Sequence, residues 1–406
     1  MFEWVAIAGF LGILFSSIVI DLITLAIVNT KKIFKKIFIL IFKIKKKIIL
    51  KKIYFKVSII IPAYNEEKNI YNVIKSAATQ TILPNKIIVI DDNSSDNTLK
   101  ECLRAQKDFE NVKIISQKEN KGKAYNITQV FKKVNLDKIT IILDADTFIS
   151  SDYIEKILPA FRDEKVVIVT GTSLPLRQKG FFGNLLYHGS MFTYSFFCFR
   201  KQAQSYRNAI SVVTGDSAAY RTSFLNKIGG LPQGTQTEDM DVTWIALEMG
   251  NKIHYQKNAL ARSFDAGTLK GGWKQITRWF SGGFQCLFRH NFKLFKAKSL
   301  TFTTLIPSYI DSIIYSFYFL FYLVLFFIYP PLVIAFFIAD LIFTLIAIIY
   351  LDIKYLFYLP HIYFIKLFWS LAYFYAMLKT TGEFILGKRN WGGAWERNSF
   401  YKGDKK

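Results

Sequence analysis

Long apolar runs lie near both ends of the chain, and the first covers residues 2–28. Only Glu3 and Asp21 are charged within it. As a helix rising about 1.5 Å per residue, a run of this length exceeds a hydrocarbon core of about 30 Å. We predict one transmembrane helix here. A cleavable signal peptide carries its positive charge before its apolar stretch, whereas this run carries it afterwards.

Three further apolar stretches, at about 309–329, 332–350 and 355–378, precede the C-terminus. Pro330-Pro331 predicts a tight turn between the first two. The third stretch is the weakest, since Lys366 lies inside it. We expect about three membrane segments. The side of the basic tail stays open, because three crossings place it outside and positive-inside bias places it inside.

The segment that follows the first apolar run is strongly basic. Residues 31–56 contain eleven lysines and no acid, interleaved with Ile, Phe and Leu. Such a segment stays on the cytoplasmic side of a membrane and favours anionic headgroups. Plain lysine-rich composition is the alternative explanation. We therefore predict an integral, multi-pass protein of the cell membrane, with membrane lipids as partners and its central domain in the cytoplasm.

A different pattern occupies the middle of the chain, between Val57 and about Arg262. Short β-branched runs alternate there with amphipathic stretches. The predicted strands are Val57 to Ile61, Ile87 to Ile90, Val112 to Ser116, Ile139 to Leu143 and Val166 to Thr170. Near-continuous apolar strands at this spacing are typical of a mostly parallel sheet with helices on both faces. Ligands of such sheets bind beyond the carboxyl ends of the strands.

Acidic residues follow two of these strands. Asp144 and Asp146 come after the fourth strand and lie on one side of the chain, since side chains of a strand alternate. Two carboxylates so placed suit a hard divalent cation shared with substrate phosphates, although a solvated turn or a helix N-cap also explains them. Asp92 follows the second strand, either as a turn former or as an acceptor for the imide N–H of uracil.

Three later patterns have a chemical and a structural interpretation each. Asn120-Lys121-Gly122-Lys123 places two lysines and a glycine in a loop, either as a diphosphate contact or as ordinary surface residues. Glu238-Asp239-Met240-Asp241 precedes a helix, and acids favour helix N-termini on electrostatic grounds alone. Gln275, Arg278 and Trp279 share one helix face, which also suits an interfacial membrane anchor.

Composition narrows the classes of protein. The 406 residues include 53 Lys+Arg and 30 Asp+Glu, a net charge of +23, and 51% of them are hydrophobic. This hydrophobic content excludes a disordered chain. The charge is spread along the chain, so it requires no nucleic acid as partner. Three widely spaced cysteines argue against a disulfide framework and a structural zinc site.

Six motifs occur in one order along the chain. They are Ile61-Pro62-Ala63-Tyr64-Asn65-Glu66-Glu67, Asp91-Asp92-Asn93-Ser94-Ser95-Asp96, Asn120-Lys121-Gly122-Lys123-Ala124, Asp144-Ala145-Asp146, Thr237-Glu238-Asp239-Met240-Asp241 and Gln275-Ile276-Thr277-Arg278-Trp279. This order resembles the membrane-bound family 2 glycosyltransferases. The stretch 267–283 is most similar to poly-N-acetylglucosamine synthases and more distantly to cellulose and hyaluronan synthases.

The resemblance implies an α/β fold of the GT-A type, Rossmann-like with a mostly parallel sheet, flanked by transmembrane helices. It also implies a division of the chain into six parts. These are an N-terminal transmembrane helix (1–29), a basic juxtamembrane segment (30–56), a GT-A domain (57–265), interfacial helices with the QxxRW motif (266–300), a C-terminal transmembrane region (301–379) and a basic tail (380–406).

The resemblance further implies roles for individual residues on the donor side. The donor would be a UDP-sugar, most favourably UDP-N-acetylglucosamine. The nucleotide-sugar would be bound by Pro62, Ala63, Tyr64, Glu66, Asp92, Lys123 and Asp144. Asp146, together with Asp144, would hold Mg²⁺ or Mn²⁺.

On the acceptor side, Asp239 would be the general base and would deprotonate the attacking hydroxyl, so that inversion gives a β-linkage. Glu238 and Asp216 would support it. Trp279 would provide an aromatic surface for an acceptor sugar, Arg278 a cation for phosphates, and Gln275 lies on the same helix face. The acceptor would be a growing polysaccharide or another glycan or lipid-linked acceptor, and accessory membrane subunits are left open as partners.

Two departures from the family pattern concern processivity. Ile276-Thr277 follows Gln275 where Gln or Arg is common, and one helix precedes the domain where some relatives have two. A non-processive enzyme that adds one sugar to a lipid or lipid-linked oligosaccharide is therefore the first alternative. A non-catalytic membrane scaffold or co-polymerase is the second, and it has no need of the full set of acidic motifs.

Overall fold

The fold is that of a computed structural model, which describes residues 17–41 and 55–388. Parts of three predicted features lie outside the described residues: the start of the first apolar run (1–16), the later part of the basic segment (42–54) and most of the basic tail (389–406). The described part of the first run is helical. This helix continues to Ile41, into the segment predicted as a separate basic region from residue 30.

The helices and strands alternate through the middle of the chain, as the sequence predicts. The first half contains α1 (Ser17–Ile41), β1 (Val57–Ala63), α2 (Ile70–Ala78), β2 (Lys86–Asp91), α3 (Thr98–Asp108), β3 (Val112–Ser116), α4 (Lys123–Lys133), β4 (Ile139–Ile142), β5 (Thr147–Ile149) and α5 (Tyr153–Ile157). The second half contains β6 (Val166–Leu176), α6 (Phe181–Arg207), β7 (Ala219–Arg221), α7 (Thr222–Ile228), α8 (Glu238–Glu248), β8 (Lys252–Phe264) and α9 (Leu269–His290).

Eight strands form one mixed sheet in the order β3-β2-β1-β4-β7-β6-β8-β5. The first four are parallel, which confirms the predicted parallel core of the sheet. Beyond β4 the picture differs from the prediction. β7 runs antiparallel to both of its neighbours, and β5 antiparallel to β8. Strands β5 and β7 have three residues each, too few to show a hydrophobic period.

Apolar side chains cover both faces of the sheet. All seven residues of β1 are buried, which explains why this strand reads as one continuous apolar run. One face packs against α2, α3 and α5, with Ile74, Cys102 and Ile154 fully buried. The other face packs against α4, α7 and α8, with Ile127 and Trp244 fully buried. The result is a three-layer α/β domain.

Helices continue after the α/β domain. Short helical turns at Asn291–Lys296, Lys298–Leu300 and Thr301–Leu305 lead into α10 (Ile306–Ile328), α11 (Pro330–Leu351), a 3₁₀ turn (Ile353–Tyr358) and α12 (Leu359–Ile385). The three long helices correspond to the three predicted apolar stretches. Pro330 begins α11, as the Pro-Pro pair predicts.

By length and composition, one stretch of the described residues, Ile353–Ile385, is long and apolar enough to cross a membrane. A shorter apolar helical stretch covers Phe336–Leu351. Lys366, the charge inside the third predicted segment, is not isolated. Its ammonium contacts both carboxylate oxygens of Asp340 on α11, at 2.9 and 3.1 Å.

A buried ionic cluster joins α1 to α6. Asp21 of α1 is fully buried and accepts hydrogen bonds from Arg200 Nε at 2.8 Å and Arg207 Nη2 at 2.6 Å. Arg207 also donates to Thr24 of α1 at 2.6 Å. The same two arginines reach the start of the C-terminal helices, through Ser308 and Thr303. One carboxylate therefore fixes the N-terminal helix against both α6 and the region that leads into α10.

A second cluster joins α8 to α9. The His290 ring contacts Asp241 Oδ1 at 2.9 Å and Glu248 Oε1 at 2.7 Å. Burial lowers the pKa of His290, but the two carboxylates outweigh burial and raise it above its usual value. Arg289 contacts the second oxygen of Asp241 at 2.8 Å. These contacts tie the Glu238-Asp239 helix to the helix that carries the QxxRW motif.

We predict that Asp21→Ala destabilises the protein by about 3–5 kcal/mol, because it leaves two arginines in a buried site without their carboxylate. Thermal unfolding in detergent micelles measures the loss. Asp163→Ala is the matched control, since Asp163 pairs with Lys252 at 2.8 Å while both side chains are more than 40% exposed. That control should change stability by about 1 kcal/mol or less. Equal losses in the two variants would contradict the assigned role of Asp21.

Candidate active site

The carboxyl ends of β1, β2 and β4 meet at one edge of the sheet and bring together the first four motifs. Pro62 and Ala63 are buried in the last two positions of β1. The Ala63 carbonyl accepts the backbone N–H of Asp92 at 2.9 Å, so the β1 and β2 motifs are directly bonded. Tyr64 follows, half-buried. Asn65 has a φ of 55°, which turns the chain sharply away from the sheet edge.

Asp92 and Glu66 have partners within the protein. The Asp92 carboxylate is buried and accepts the backbone N–H groups of Lys121 at 2.9 Å and Gly122 at 2.8 Å. It therefore anchors the lysine loop against the end of β2. Glu66 is also buried and accepts a hydrogen bond from Asn69 at 3.1 Å. The predicted contact between Asp92 and uracil stays a prediction.

Lys123 connects three of the motifs. Its ammonium contacts Asp144 Oδ1 at 2.7 Å and Glu238 Oε1 at 3.0 Å, and it donates to the Gly215 carbonyl at 2.8 Å. The side chains of Lys123, Asp144 and Glu238 are only 9%, 13% and 11% exposed. Lys123 begins α4, after Gly122 with a φ of 85°. This positive φ suits glycine and turns the loop into the helix.

Asp144 and Asp146 are the candidate metal ligands. Asp144 contacts Lys123, and its backbone N–H donates to the Asp216 carbonyl at 2.8 Å. Asp146 is buried, and Thr147 Oγ1 donates to it at 3.3 Å. Within 17–41 and 55–388, no group of three His, Cys, Asp or Glu side chains is arranged to hold a metal. Two carboxylates fit Mg²⁺ or Mn²⁺ as hard oxygen ligands, with substrate phosphates supplying the remaining positions.

Asp239 lies on the first turn of α8, directly above the Gly215-Asp216 turn. Its Oδ1 accepts the Met240 N–H at 2.9 Å. Gly215 lies so close that a Cβ there would be 2.8 Å from Asp239 Oδ2. Withdrawal from water, and then the neighbouring Glu238 carboxylate, raise the pKa of Asp239 to about 6, against the opposing effect of Lys123. Asp239 therefore exchanges its proton close to neutral pH.

Asp216 faces the same interior. Its carboxylate accepts hydrogen bonds from the Ser173 hydroxyl and, at 2.8 Å, from the Ser217 hydroxyl. Burial raises its pKa, and the nearby Asp144 carboxylate adds to the effect. The structure thus brings Asp216 beside Asp144, next to Asp239.

The QxxRW residues lie together on α9, as predicted. Arg278 donates to the Gln236 carbonyl at 3.1 Å, which joins α9 to the loop before α8. Gln275 Nε2 donates to Asp265 at 3.2 Å. The Trp279 ring lies between Tyr194 of α6 and Trp369 of α12, with ring centroids 6.2 and 6.1 Å away. All six motifs therefore border one site.

Gly282 explains how α9 approaches the Glu238-Asp239 motif so closely. A Cβ at this position would collide with the Thr237 side chain, the residue that precedes α8. The absence of a side chain at Gly282 lets the helix backbone rest directly on Thr237. The glycine at position 282 is thus a packing requirement of the site.

Sequence reasoning missed two acidic or basic residues of this site. Asp265 accepts hydrogen bonds from Tyr194 at 2.9 Å and Gln275 at 3.2 Å, and burial raises its pKa to about 6. It directly follows β8, so a correct prediction of that strand would have drawn attention to it. Lys201 of α6 lies near Asp216 and Asp239. No motif of the sequence contains it.

We predict that Lys123→Met lowers the free energy of unfolding by about 1–3 kcal/mol, because it leaves the largely buried carboxylates of Asp144 and Glu238 without their cation. Lys121→Met is the matched control in the same loop. Lys121 forms a long ion pair of 3.4 Å with Glu119, and both side chains are exposed. The Lys121→Met variant should therefore unfold at the same temperature as the unmodified protein. Thermal unfolding of both variants measures the difference, and identical curves would refute the role of Lys123.

Comparison with known proteins agrees with the family resemblance of the six motifs. The family profile described as "Glycosyl transferase family 2" matches residues 58–229. A poly-beta-1,6-N-acetyl-D-glucosamine synthase of Staphylococcus aureus (strain COL) is 28% identical over 270 residues, which are 66% of this chain and 64% of that protein. The synthase of Staphylococcus epidermidis is 28% identical over 260 residues, 63% and 61% of the two chains. The matches thus span slightly less than two thirds of these relatives.

Among solved structures, the mannosyltransferase PcManGT from Pyrobaculum calidifontis, in complex with GDP-Man and Mn²⁺, superposes with a TM-score of 0.55. The likeness covers 81% of this chain and 88% of that one at 16% identity, and it shows a shared GT-A-like fold. Fold, motif order and profile agree. The chain belongs to glycosyltransferase family 2 through residues 58–229, and it is a distant homologue of poly-β-1,6-N-acetylglucosamine synthases.

Proposed function

We propose that this glycosyltransferase is an inverting, metal-dependent enzyme that transfers a sugar from a UDP-sugar to a growing β-linked polysaccharide. UDP-N-acetylglucosamine is the proposed donor, because the synthases that are 28% identical to this chain over the aligned residues are named for a polymer of N-acetylglucosamine. The observation that carries the proposal is the Asp239 carboxylate. It lies on the Gly215-Asp216 turn beside Lys123 and Asp144, with a pKa of about 6.

A general base must accept a proton near neutral pH, and Asp239 meets that requirement better than Glu238. Glu238 has its carboxylate on the Lys123 ammonium at 3.0 Å. A carboxylate in an ion pair is a poor proton acceptor. Asp239, with its raised pKa, is the stronger base. Glu238 then serves to hold Lys123 in place and, by its charge, to keep the pKa of Asp239 high.

The donor side is built from the strand ends. Pro62, Ala63 and Tyr64 line the proposed base and ribose pocket, and Asp92 holds the lysine loop beside it. Glu66 supports the turn after β1. Lys123 presents its ammonium next to Asp144, where the donor diphosphate is proposed to lie. A cation at that position stabilises the charge that grows on the leaving UDP.

Asp146, with Asp144, is proposed to hold Mg²⁺ or Mn²⁺ together with the donor phosphates. When bound, the ion neutralises phosphate charge. Burial raises the pKa of Asp216 and of Asp265, and the carboxylates of Asp144 and Asp146, respectively, add to that effect, so several acidic groups lie on this side of the site. A site of this charge favours a divalent cation.

The acceptor is proposed to enter from the side of α9. Trp279 offers an aromatic surface beside Tyr194, and sugars pack against such surfaces through their C–H faces. Asp239 then takes the proton from the acceptor hydroxyl as that oxygen attacks the anomeric carbon opposite UDP. Inversion of an α-linked donor gives a β-linkage. Arg278, held by the Gln236 carbonyl, lies close enough to lower the pKa of Asp239 slightly.

We propose that the protein is multi-pass in the cell membrane with its catalytic domain in the cytoplasm. The stretch Ile353–Ile385 is long and apolar enough to span, and the fully buried Asp21 fixes α1 against α6 beside the domain. The basic residues after the first apolar run support this orientation. Membrane lipids, a glycan or lipid-linked acceptor and accessory membrane subunits are the proposed partners.

One observation favours the single-addition enzyme as a second candidate. α6 and α12, on either side of Trp279, touch directly at Gly189, where a Cβ would be 2.7 Å from the His361 carbonyl oxygen. Such close packing leaves little room for a polymer between these two helices. Product length distinguishes the two enzymes, since a single addition lengthens its acceptor by one sugar.

We expect purified protein in lipid nanodiscs to release UDP from one member of a panel of UDP-sugars when Mg²⁺ or Mn²⁺ is present, and to stop when EDTA removes the ion. Asp239→Asn should lower turnover about 10²- to 10⁴-fold, because the base is lost. UDP binding, measured by calorimetry, should persist in that variant. Product size on a gel separates polymer from single addition.

The pH profile gives a second readout in the same assay. Asp239 acts only when deprotonated, so kcat/KM should rise as the pH increases through about 6 and then level off. Asp239→Asn should lack this rise. If the protein binds a donor but turns over no UDP-sugar of the panel, the non-catalytic scaffold is favoured. If Asp239→Asn turns over the donor as fast as the unmodified protein, Asp239 is not the base.

We predict that Gly215→Ala lowers kcat about 10²-fold while the affinity for UDP is retained, because the new methyl group displaces the Asp239 carboxylate from the acceptor hydroxyl. The matched control is Gly382→Ala. Gly382 lies within α12 and has open space around the position of a Cβ. That variant should keep full turnover. If Gly215→Ala is as active as the control, the activity does not depend on the position of the Asp239 carboxylate next to Gly215.

A further inference from the structure

The His290 ring lies between two carboxylates where α8 meets α9. Its Nε2 is 2.9 Å from Asp241 Oδ1, and its Nδ1 is 2.7 Å from Glu248 Oε1. Asp241 and Glu248 are two turns apart on α8, so they project from one face of that helix. The three side chains are only 4%, 0% and 11% exposed, in the order His290, Asp241 and Glu248. Each ring nitrogen therefore faces a carboxylate oxygen in a site nearly withdrawn from water.

These two contacts fix the protonation state of the ring. A neutral imidazole has one N–H donor and one bare nitrogen, and an ionised carboxylate only accepts hydrogen bonds. With a neutral His290, one of the two contacts would bring two acceptors together at hydrogen-bond distance. An imidazolium donates at both nitrogens and removes this conflict. The geometry thus indicates a ring that carries its second proton.

The other charges around the ring agree with this state. Arg289 donates to the second oxygen of Asp241 at 2.8 Å, so the guanidinium and the ring bind one carboxylate from two sides. His290 ends α9, and a helix C-terminus favours a positive charge. Burial opposes that charge, but the two carboxylates outweigh burial and raise the pKa of the ring above its usual value. One turn earlier, burial raises the pKa of the Cys286 thiol, and the lysines of the turn Asn291–Lys296 are exposed.

α9 also holds the loop that leads into α8. Gln236 is bonded to α9 through both of its backbone groups, since its N–H donates to Gln285 at 2.9 Å and its carbonyl accepts Arg278 at 3.1 Å. Asp239, the proposed base, lies between this loop and Asp241. Its position relative to the QxxRW residues is therefore set by contacts with α9 on both sides of it.

We propose that His290 is a positioning residue for the transfer reaction and that transfer requires its second proton. Without that proton a bare nitrogen faces a buried carboxylate, so the contact between α8 and α9 weakens and Asp239 loses its alignment with the acceptor. This inference rests on the proposed function and adds an upper pH limit to it. Asp239 must have lost its proton while His290 keeps its own, and two such requirements give a bell-shaped pH profile.

The first measurement is kcat/KM against pH for the full chain in nanodiscs, with the UDP-sugar that it turns over. Beyond the plateau that follows the rise at a pH of about 6, kcat/KM should fall again. The fall should reach about tenfold for each pH unit above the pKa of His290. Glu248→Gln should abolish the fall and keep the rise, because its amide can donate to the bare nitrogen of a neutral ring.

Glu164→Gln is the matched control, since Glu164 is exposed in the turn before β6, and it should keep both limbs of the profile. An unchanged fall in Glu248→Gln overturns the inference. A folded Glu248→Gln that is inactive at every pH also overturns it, because the carboxylate then has a structural role. If unfolding temperatures show that this variant is not folded, His290→Lys replaces it. Its fall should move to higher pH, since lysine keeps its proton up to about pH 10, and an unmoved fall overturns the inference.

NMR of protein labelled with ¹³C-histidine measures the proton independently of turnover. The chain has four histidines, and His290→Gln identifies the His290 signal by its loss. This signal should titrate with a midpoint above the usual value of about 6.5, and Glu248→Gln should lower the midpoint. The unfolding temperature should decrease as the pH rises through the midpoint, because a raised pKa stabilises the folded state only while the ring is protonated. A midpoint at or below about 6.5 overturns the inference.

The two readouts separate this inference from the proposed function. If no UDP-sugar is turned over while the ring titrates as expected, the proposed function fails and the protonated contact between α8 and α9 stands. If a donor is turned over and kcat/KM stays level above neutral pH, the role of His290 is rejected and the glycosyltransferase proposal stands.

Discussion

The ammonium of Lys123 is the contact on which the geometry of the site depends. It bonds to Asp144 after β4, to Glu238 at the start of α8 and to the Gly215 carbonyl before β7. These three segments are far apart in sequence, and the two carboxylates are nearly withdrawn from water. A single cation is what makes their approach favourable, because without it the carboxylates would repel each other in a poorly solvated site.

The remaining charges are distributed around this contact. Asp239 and Asp265 both have a pKa of about 6, and burial is the first cause in each case. They nevertheless differ in surroundings. Asp265 is held by Tyr194 and Gln275, whereas Asp239 rests on a glycine and faces the interior. Two carboxylates of similar pKa thus have different roles: Asp265 holds neighbouring side chains in place, and Asp239 is the proposed base.

The sequence was sufficient to predict the parallel core of the sheet and the positions of the acidic motifs, because fully buried strands have an unmistakable apolar pattern. The same reasoning placed Gln275, Arg278 and Trp279 on one helix, and the structure confirms it. It failed for β5 and β7, whose three residues are stabilised by neighbouring strands rather than by their own pattern. Lys201 and Asp265 were missed for a related reason. Their importance arises from contacts between distant segments, which no local motif records.

Asp21 has a consequence for any attempt to isolate the catalytic domain. The α/β domain has its own core, so residues 57–290 invite excision as a soluble fragment. Within such a fragment, Arg200 and Arg207 would lose the carboxylate that neutralises them, together with Ser308 and Thr303. The C-terminal part of α6 would then carry two guanidinium groups without a compensating charge, beside newly exposed apolar surface. A fragment in which both arginines are replaced with neutral polar residues, or in which a new acidic residue is introduced beside them, should be more stable in water than the unmodified fragment.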